Sequence, residues 1–173
     1  ISKIRYSSEL GKLTRILSLA LKSSNQTIQN LIGLFLEFQG PQDILIENEK
    51  NAYIHKRYNK FNKIIEKNVK KANIYDNFVF LEYYGEYSLS SDIANYLFFK
   101  NPDKFIAVCY KRYDVANISL RGKNAKKFTE KIVNSIEGST GGGHEVACGL
   151  RIPYDAVEKF KKIVFKEFSV ENI

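Results

Sequence analysis

Methionine and tryptophan are absent from the 173 residues, and there are only two cysteines, two histidines and three prolines. The missing methionine includes the first position, Ile1, so the chain is expected to be an excised piece of a longer protein. Cys109 and Cys148 are too few for a disulfide framework. They stand among apolar or small neighbours and read as reduced core residues of a cytoplasmic protein. With only His55 and His144 available, no histidine-rich metal centre can be built. His144 and Cys148 stand four apart, which on a helix would put two ligands on one face, but only Cys109 and His55 could complete a set and they belong to other elements. No apolar run approaches the length of a membrane span and no signal peptide is visible, so no membrane partner is expected. No Ser-His-Asp or Cys-His arrangement stands out, and there is no internal repeat.

What is present is a core and a local excess of charge. Hydrophobic residues make up 44% of the chain, with 12 Phe and 11 Tyr among them, enough for one domain or one and a half. The net charge is +8. Almost all of it lies between Lys50 and Lys71, where eight Lys or Arg face a single acid, Glu66. A polyanionic partner follows from that concentration, with nucleic acid first among such partners.

Periodicity divides the chain. Residues 9–22 read as a helix with Leu10, Leu13, Ile16, Leu17, Ala20 and Leu21 on one side, capped by Ser7 or Ser8. Residues 27–38 repeat the pattern, and Gly40-Pro41 breaks it. A single long helix is predicted from about Asp43 to Ala72. Its apolar residues Ile54, Tyr58, Phe61 and Ile65 are followed two positions later by Lys56, Lys60, Lys63 and Lys67. Two residues are about 200° around a helix, so the lysine stripe lies opposite the apolar one and suits contact with a phosphate backbone.

From Phe78 the period changes. Phe78–Leu81 reads as a short buried strand, Ser90 or Ser91 as the cap of a helix through Phe98, and Phe105–Tyr110 as a central strand. Val115–Arg121 alternates, with Ala116, Ile118 and Leu120 on one face and Asn117, Ser119 and Arg121 on the other. Helices follow over 125–136 and after Pro153, with another strand within 146–152. The result is an α/β fold with a mixed β-sheet flanked by helices, preceded by an all-helical N-terminal segment with a long connecting helix. The organisation reads as a helical segment 1–40, a basic amphipathic helix and linker 41–76, and an α/β domain 77–173.

The stretch around which this is organised is Gly141-Gly142-Gly143-His144-Glu145-Val146-Ala147-Cys148-Gly149. Three successive glycines can turn their N–H groups toward one point and make a concave anion site, to which His144 adds a donor. Arg121 on the preceding strand would clamp a phosphate through two parallel bonds or stack on a base.

These residues also resemble a family. Gly141–Gly149 is similar to the GGGH-x-x-A-x-G signature of the DHHA1 domain, the C-terminal half of DHH-superfamily phosphoesterases. Ile118-Ser119-Leu120-Arg121 resembles its I-S-L-R motif, and Ser90-Ser91-Asp92-Ile93-Ala94 its S-S-D-I-A helix start. The three come in family order within about residues 77–168.

The resemblance implies the substrate-binding part of a RecJ-like, single-strand-specific exonuclease, with Gly141, Gly142, Gly143, His144, Arg121, Ser119 and Asn117 holding the scissile end. Lys56, Lys60, Lys63 and Lys67 would track the backbone. It implies two Mn2+ (or Mg2+) ions held by an N-terminal DHH domain. The Asp-His-His and Asp-x-Asp motifs of that domain are missing here, so no metal and no catalytic residue are expected on this chain and it should be inactive alone. Expected partners are single-stranded nucleic acid or an oligonucleotide, the DHH domain, and replication proteins. The alternative is a catalytically inactive scaffold module of a replication or repair complex. The tRNA-editing relatives rank lower, and a cyclic dinucleotide remains a candidate substrate.

Overall fold

The computed structural model describes residues 2–22 and 25–169. The parts of the expected segments 1–40 and 77–173 at residues 1, 23, 24 and 170–173 lie outside them. Two compact units are present, Ile1–Glu66 and Lys67–Ile173.

The first unit is helical: α1 (Ser2–Ser7), α2 (Glu9–Ala20), α3 (Asn25–Glu37), α4 (Gln42–Leu45) and most of α5 (Ala52–Val69). Ser8 caps α2 as the sequence suggests, its Oγ accepting the N–H of Gly11 at 3.1 Å. Ile16, Ala20, Leu31 and Ile54 form its core.

The predicted helix Asp43–Ala72 is instead broken in two. Between α4 and α5, the Asn48 side chain accepts the N–H groups of Lys50 and Asn51 at 3.0 and 3.2 Å, and Asn51 Oδ1 accepts the N–H of Asn48 at 2.8 Å. Fully buried Asn51 also donates through Nδ2 to the carbonyls of Asp43 and Ile46, each at 2.7 Å. Asparagine side chains compete with the helix ladder for backbone groups, and here they win. On α5 itself Ile54, Phe61 and Ile65 are buried, while Lys56, Lys60, Lys63 and Lys67 are all exposed. The lysine stripe is therefore real, on a helix shorter than expected.

The second unit is a six-stranded mixed sheet in the order β1-β2-β3-β4-β6-β5, with β1 (Asn73–Ile74), β2 (Phe78–Tyr84), β3 (Phe105–Arg112), β4 (Val115–Arg121), β5 (Thr140–His144) and β6 (Ala147–Pro153). Only β2 and β3 are parallel; α6 (Ser90–Lys100) joins them. The helices α7 (Ala125–Ser135) and α8 (Val157–Phe168) cover one face, where Phe80, Ala107, Ile118, Leu120, Leu150 and Ile152 meet Phe128, Ile132, Phe160 and Val164.

On the opposite face, α6 packs against β3 and β4. It stops short of β6 and β5, and that half of the face stays open: Thr140, Gly142, His144, Gly149 and Arg151 are exposed there. Strand alternation thus decides which residues of the second unit remain available to a ligand.

Candidate functional site

The start of α6 is fixed from below. Tyr83, buried on β2, accepts the N–H of Leu89 through its hydroxyl at 2.8 Å. Burial pushes its phenol pKa well above the ordinary value, with the Leu89 bond acting the other way, so the group stays neutral. Ser90, read from sequence as a cap, does not cap: the position before the helix is Leu89, without a side-chain cap bond. The Ser90 hydroxyl instead accepts from Ser119 Oγ at 3.0 Å, tying the first turn of α6 to the middle of β4. Asp92 is buried in the same first turn and supplies a negative partner for the helix dipole.

Register brings the predicted residues into three parallel rows across β4, β6 and β5. Arg121 pairs with Ala147 and Ala147 with His144; Ser119 with Gly149 and Gly149 with Gly142; Asn117 with Arg151 and Arg151 with Thr140. Residues directly opposite in antiparallel pairs share a face, so all nine lie on the side of the sheet that carries α6, with Ser119 buried and the residues of β5 together with Gly149 and Arg151 exposed. Arg121 and His144 thus stand on one face two strands apart, about 10 Å by the usual inter-strand spacing. Ala147 and Gly149 between the outer strands leave a floor of little more than backbone.

The middle and third rows, with Ser90, enclose a depression of about 330 Å³ lined by Ser90, Asn117, Ser119, Thr140, Gly149 and Arg151. Arg121 and His144 flank it in the next row rather than lining it. Arg121 is half-buried and held in place: Nε donates to Asn95 Oδ1 at 2.7 Å, and Nη1 to the carbonyl of Leu120 at 2.7 Å. Both Nε and Nη1 are therefore engaged by the protein, Nη1 also reaching the Cys148 carbonyl at 3.4 Å, so the bidentate clamp expected from the sequence is not laid out in this arrangement.

The triple glycine differs from the expected loop. Gly141–Gly143 lie within β5, an edge strand, and the turn is Glu145-Val146. In an antiparallel edge strand only every second residue turns its N–H and C=O outward; with His144 and Ala147 closing the turn, those residues are Gly141 and Gly143. The amides cannot converge as a nest, because the ladder with β6 takes the one between them.

The three glycines also differ in what surrounds them. A Cβ on Gly141 would lie 2.8 Å from the Gly149 carbonyl oxygen and 3.0 Å from Thr129 Cγ2. Gly143 has φ +149°, and a Cβ there would lie 2.4 Å from the Ala147 oxygen. Gly142 and Gly149 would meet nothing within 4 Å, because they face the open side.

The helical reading of His144 and Cys148 fails for the same reason: they lie on the two strands of a hairpin, and alternation turns Cys148 into the core. The Cys148 thiol donates to the His144 carbonyl at 3.2 Å. Among the described residues, no three His, Cys, Asp or Glu stand together as a metal site, and no helix is long and apolar enough to cross a membrane.

Sequence reasoning missed Arg151, Thr140 and Asn95. Alternation in β6 could have put Arg151 on the face of Gly149; only the pairing of β6 with β4 sets it beside Asn117. Nothing in the sequence ties Asn95 to Arg121.

A DHHA1 domain family profile matches residues 78–169. No curated protein sequence matches the chain. Among solved structures, the chain is similar to the pGpG-specific phosphodiesterase PggH from Vibrio cholerae, at 15% identity and a TM-score of 0.61, covering 96% of this chain and 60% of that one. It is also similar to RecJ in complex with Mg2+ from Thermus thermophilus, at 15% identity and a TM-score of 0.51, covering 93% of this chain and 23% of that one. The chain thus spans less than two thirds of either protein, and the likeness is one of fold.

Proposed function

This chain belongs to the DHHA1 domain family, and from that membership we propose that it is the substrate-holding part of a RecJ-like DHH phosphodiesterase. In this reading the whole protein is a single-strand-specific exonuclease of DNA repair, working in the cytoplasm. The observation that supports it is the set of three cross-strand rows on one open face, with a guanidinium and an imidazole at one end and a side-chain-free floor between.

A terminal phosphate takes charge-assisted bonds from Arg121 and His144, each worth roughly 1.5–3 kcal/mol. The nucleoside lies over Gly149 and Gly142, where no Cβ holds it off the backbone, and the hydroxyls of Ser119 and Ser90 and the Asn117 amide contact its edge. The exposed lysines of α5 offer charge to a phosphate backbone without regard to sequence. The described residues do not fit a two-manganese centre. Mn2+ or Mg2+, in this proposal, would be held by a DHH domain in the rest of the protein and would there supply activation of a water; this chain's residues bind and orient.

Fluorescence anisotropy with a 5′-phosphorylated single strand and with the matching duplex tests the reading. Preferential binding of the single strand at low salt is expected, weakened about tenfold or more by Arg121→Ala. Binding of neither, or indifference to Arg121, would overturn it.

A further inference from the structure

We propose that the Tyr84 hydroxyl is a site of covalent modification, an activated phenol that attacks acyl donors ahead of the more exposed Tyr113. Tyr84 lies on the other side of the sheet from the open face, so the proposal does not rest on the reading of that face.

Register places it there. Tyr84 on β2 pairs with Lys111 on β3, Lys111 with Ala116 on β4, and Ala116 with Ile152 on β6. Ala116 and Ile152 belong to the core beneath α7 and α8, so Tyr84 and Lys111 form the last row of that face. Lys111 is only 8% exposed. Its ammonium bonds Glu82 Oε2 at 2.7 Å and lies 5.4 and 5.6 Å from the ring centres of Tyr84 and Tyr154. Burial opposes the charge, but the bonds with Glu82 and Tyr84 outweigh it and hold the group above its ordinary range.

The Tyr84 oxygen receives two donors. The Lys111 ammonium donates to it at 3.4 Å, and the Tyr154 hydroxyl bonds it from beside β6. The backbone N–H of Tyr154 donates to the Asp114 carbonyl at 2.8 Å, which fixes the root of that side chain. Both donors favour the phenolate of Tyr84 over its phenol. The bond from Tyr154 and then Lys111 hold the Tyr84 pKa below the ordinary 10.0, with the Glu82 charge acting the other way. Glu82 is itself engaged by Lys111 and lies 4.0 Å from Lys161 of α8. The site is open to a reagent, since Tyr84 is 64% exposed. Tyr113 is the comparison: it is 82% exposed with the Arg112 guanidinium 5.0 Å over its ring, and exposure alone would make it react first.

Brief treatment of this chain with N-acetylimidazole, followed by peptide mass mapping, tests the proposal. The phenolate oxygen attacks the acetyl carbonyl and a C–O ester bond forms. The bond from that carbon to the imidazole nitrogen breaks, and the departing imidazole takes up the phenol's proton. Tyr84 is expected to be acetylated at least about threefold faster than Tyr113, with a label that hydroxylamine removes. Its rate should rise at lower pH than that of N-acetyltyrosinamide. Tyr154→Phe should slow Tyr84 by about threefold and move its pH profile upward, with thermal unfolding and the Tyr113 rate unchanged. Lys111→Met should act in the same direction.

Acetylation of Tyr113 as fast as Tyr84, or a Tyr84 rate and pH profile that Tyr154→Phe leaves unmoved, overturns the proposal.

Discussion

Adding one methyl group to each glycine of the hairpin, one position at a time, separates architecture from recognition. An alanine Cβ at Gly149 or Gly142 meets no heavy atom within 4 Å. The backbone of both is ordinary strand, and exchanging strand glycine for alanine gains roughly 0.5–1 kcal/mol by removing freedom from the unfolded chain. Thermal unfolding of Gly149→Ala should therefore be unchanged or slightly raised. The same methyl rises from the floor between Ser119 and Gly142, where a ligand must approach the backbone. Lifting the ligand enough to lose one charge-assisted bond costs about 1.5–3 kcal/mol, a loss of roughly 10- to 100-fold in affinity.

Gly141→Ala and Gly143→Ala should behave in the opposite way. Their Cβ atoms would stand 2.8 and 2.4 Å from carbonyl oxygens. Overpacking and left-handed strain each cost about 1–3 kcal/mol, or about 4–8 °C of melting temperature per kcal/mol in a domain of roughly this size. The assay is differential scanning fluorimetry beside anisotropy with a 5′-phosphorylated single strand. If Gly149→Ala and Gly142→Ala bind as wild type does while remaining folded, the open face is not the binding face.

Two further expectations concern other parts of the chain. Replacing Lys56, Lys60, Lys63 and Lys67 together by glutamine should lower the slope of log affinity against log salt by about 0.7 per lysine for a single strand; an unchanged slope between about 50 and 200 mM salt would remove α5 from the interface. Burial, reinforced by the Glu82 charge and opposed by Lys111, pushes the Cys109 thiol up from 9.0 to about 12. Its stabilising contribution is whole below pH 9.0 and is lost as pH rises toward 12, because the unfolded thiol ionises first. Cys109→Ala should therefore show a shallower loss of stability than wild type in urea titrations across that alkaline range, and parallel pH profiles would contradict the assignment.

Much of the second unit was legible because its signals are local. The alternation of Val115–Arg121 put Asn117, Ser119 and Arg121 on one face, and the sheet keeps them there. The helix cores at Phe128 and Ile132 and at Phe160 and Val164 followed from a 3.6-residue period. What could not be read depends on pairing between distant strands. Glycine runs mark loops more often than strands, and only the docking of Gly141–Gly143 against Cys148–Leu150 shows that they form an edge strand. Arg151 needed the β4–β6 register, and Asn95 needed the packing of α6 over β4. The break in the long helix was local, but lay in the side chains of Asn48 and Asn51, which a hydrophobic period does not weigh.

Gly122 directly follows Arg121, and its N–H donates to the carbonyl of Val146 at 3.0 Å, while the N–H of Lys126 reaches the carbonyl of Glu145 at 3.3 Å. The hairpin tip next to His144 is thus stitched to the strand that bears the guanidinium and to the helix after it. The strands that carry the guanidinium and the imidazole are thereby held two inter-strand spacings apart, with β6 between them. In the proposed reading a molecule of the wrong span does not draw these strands together, and selection between guests falls to the guest's own flexibility, which makes the face behave as a caliper.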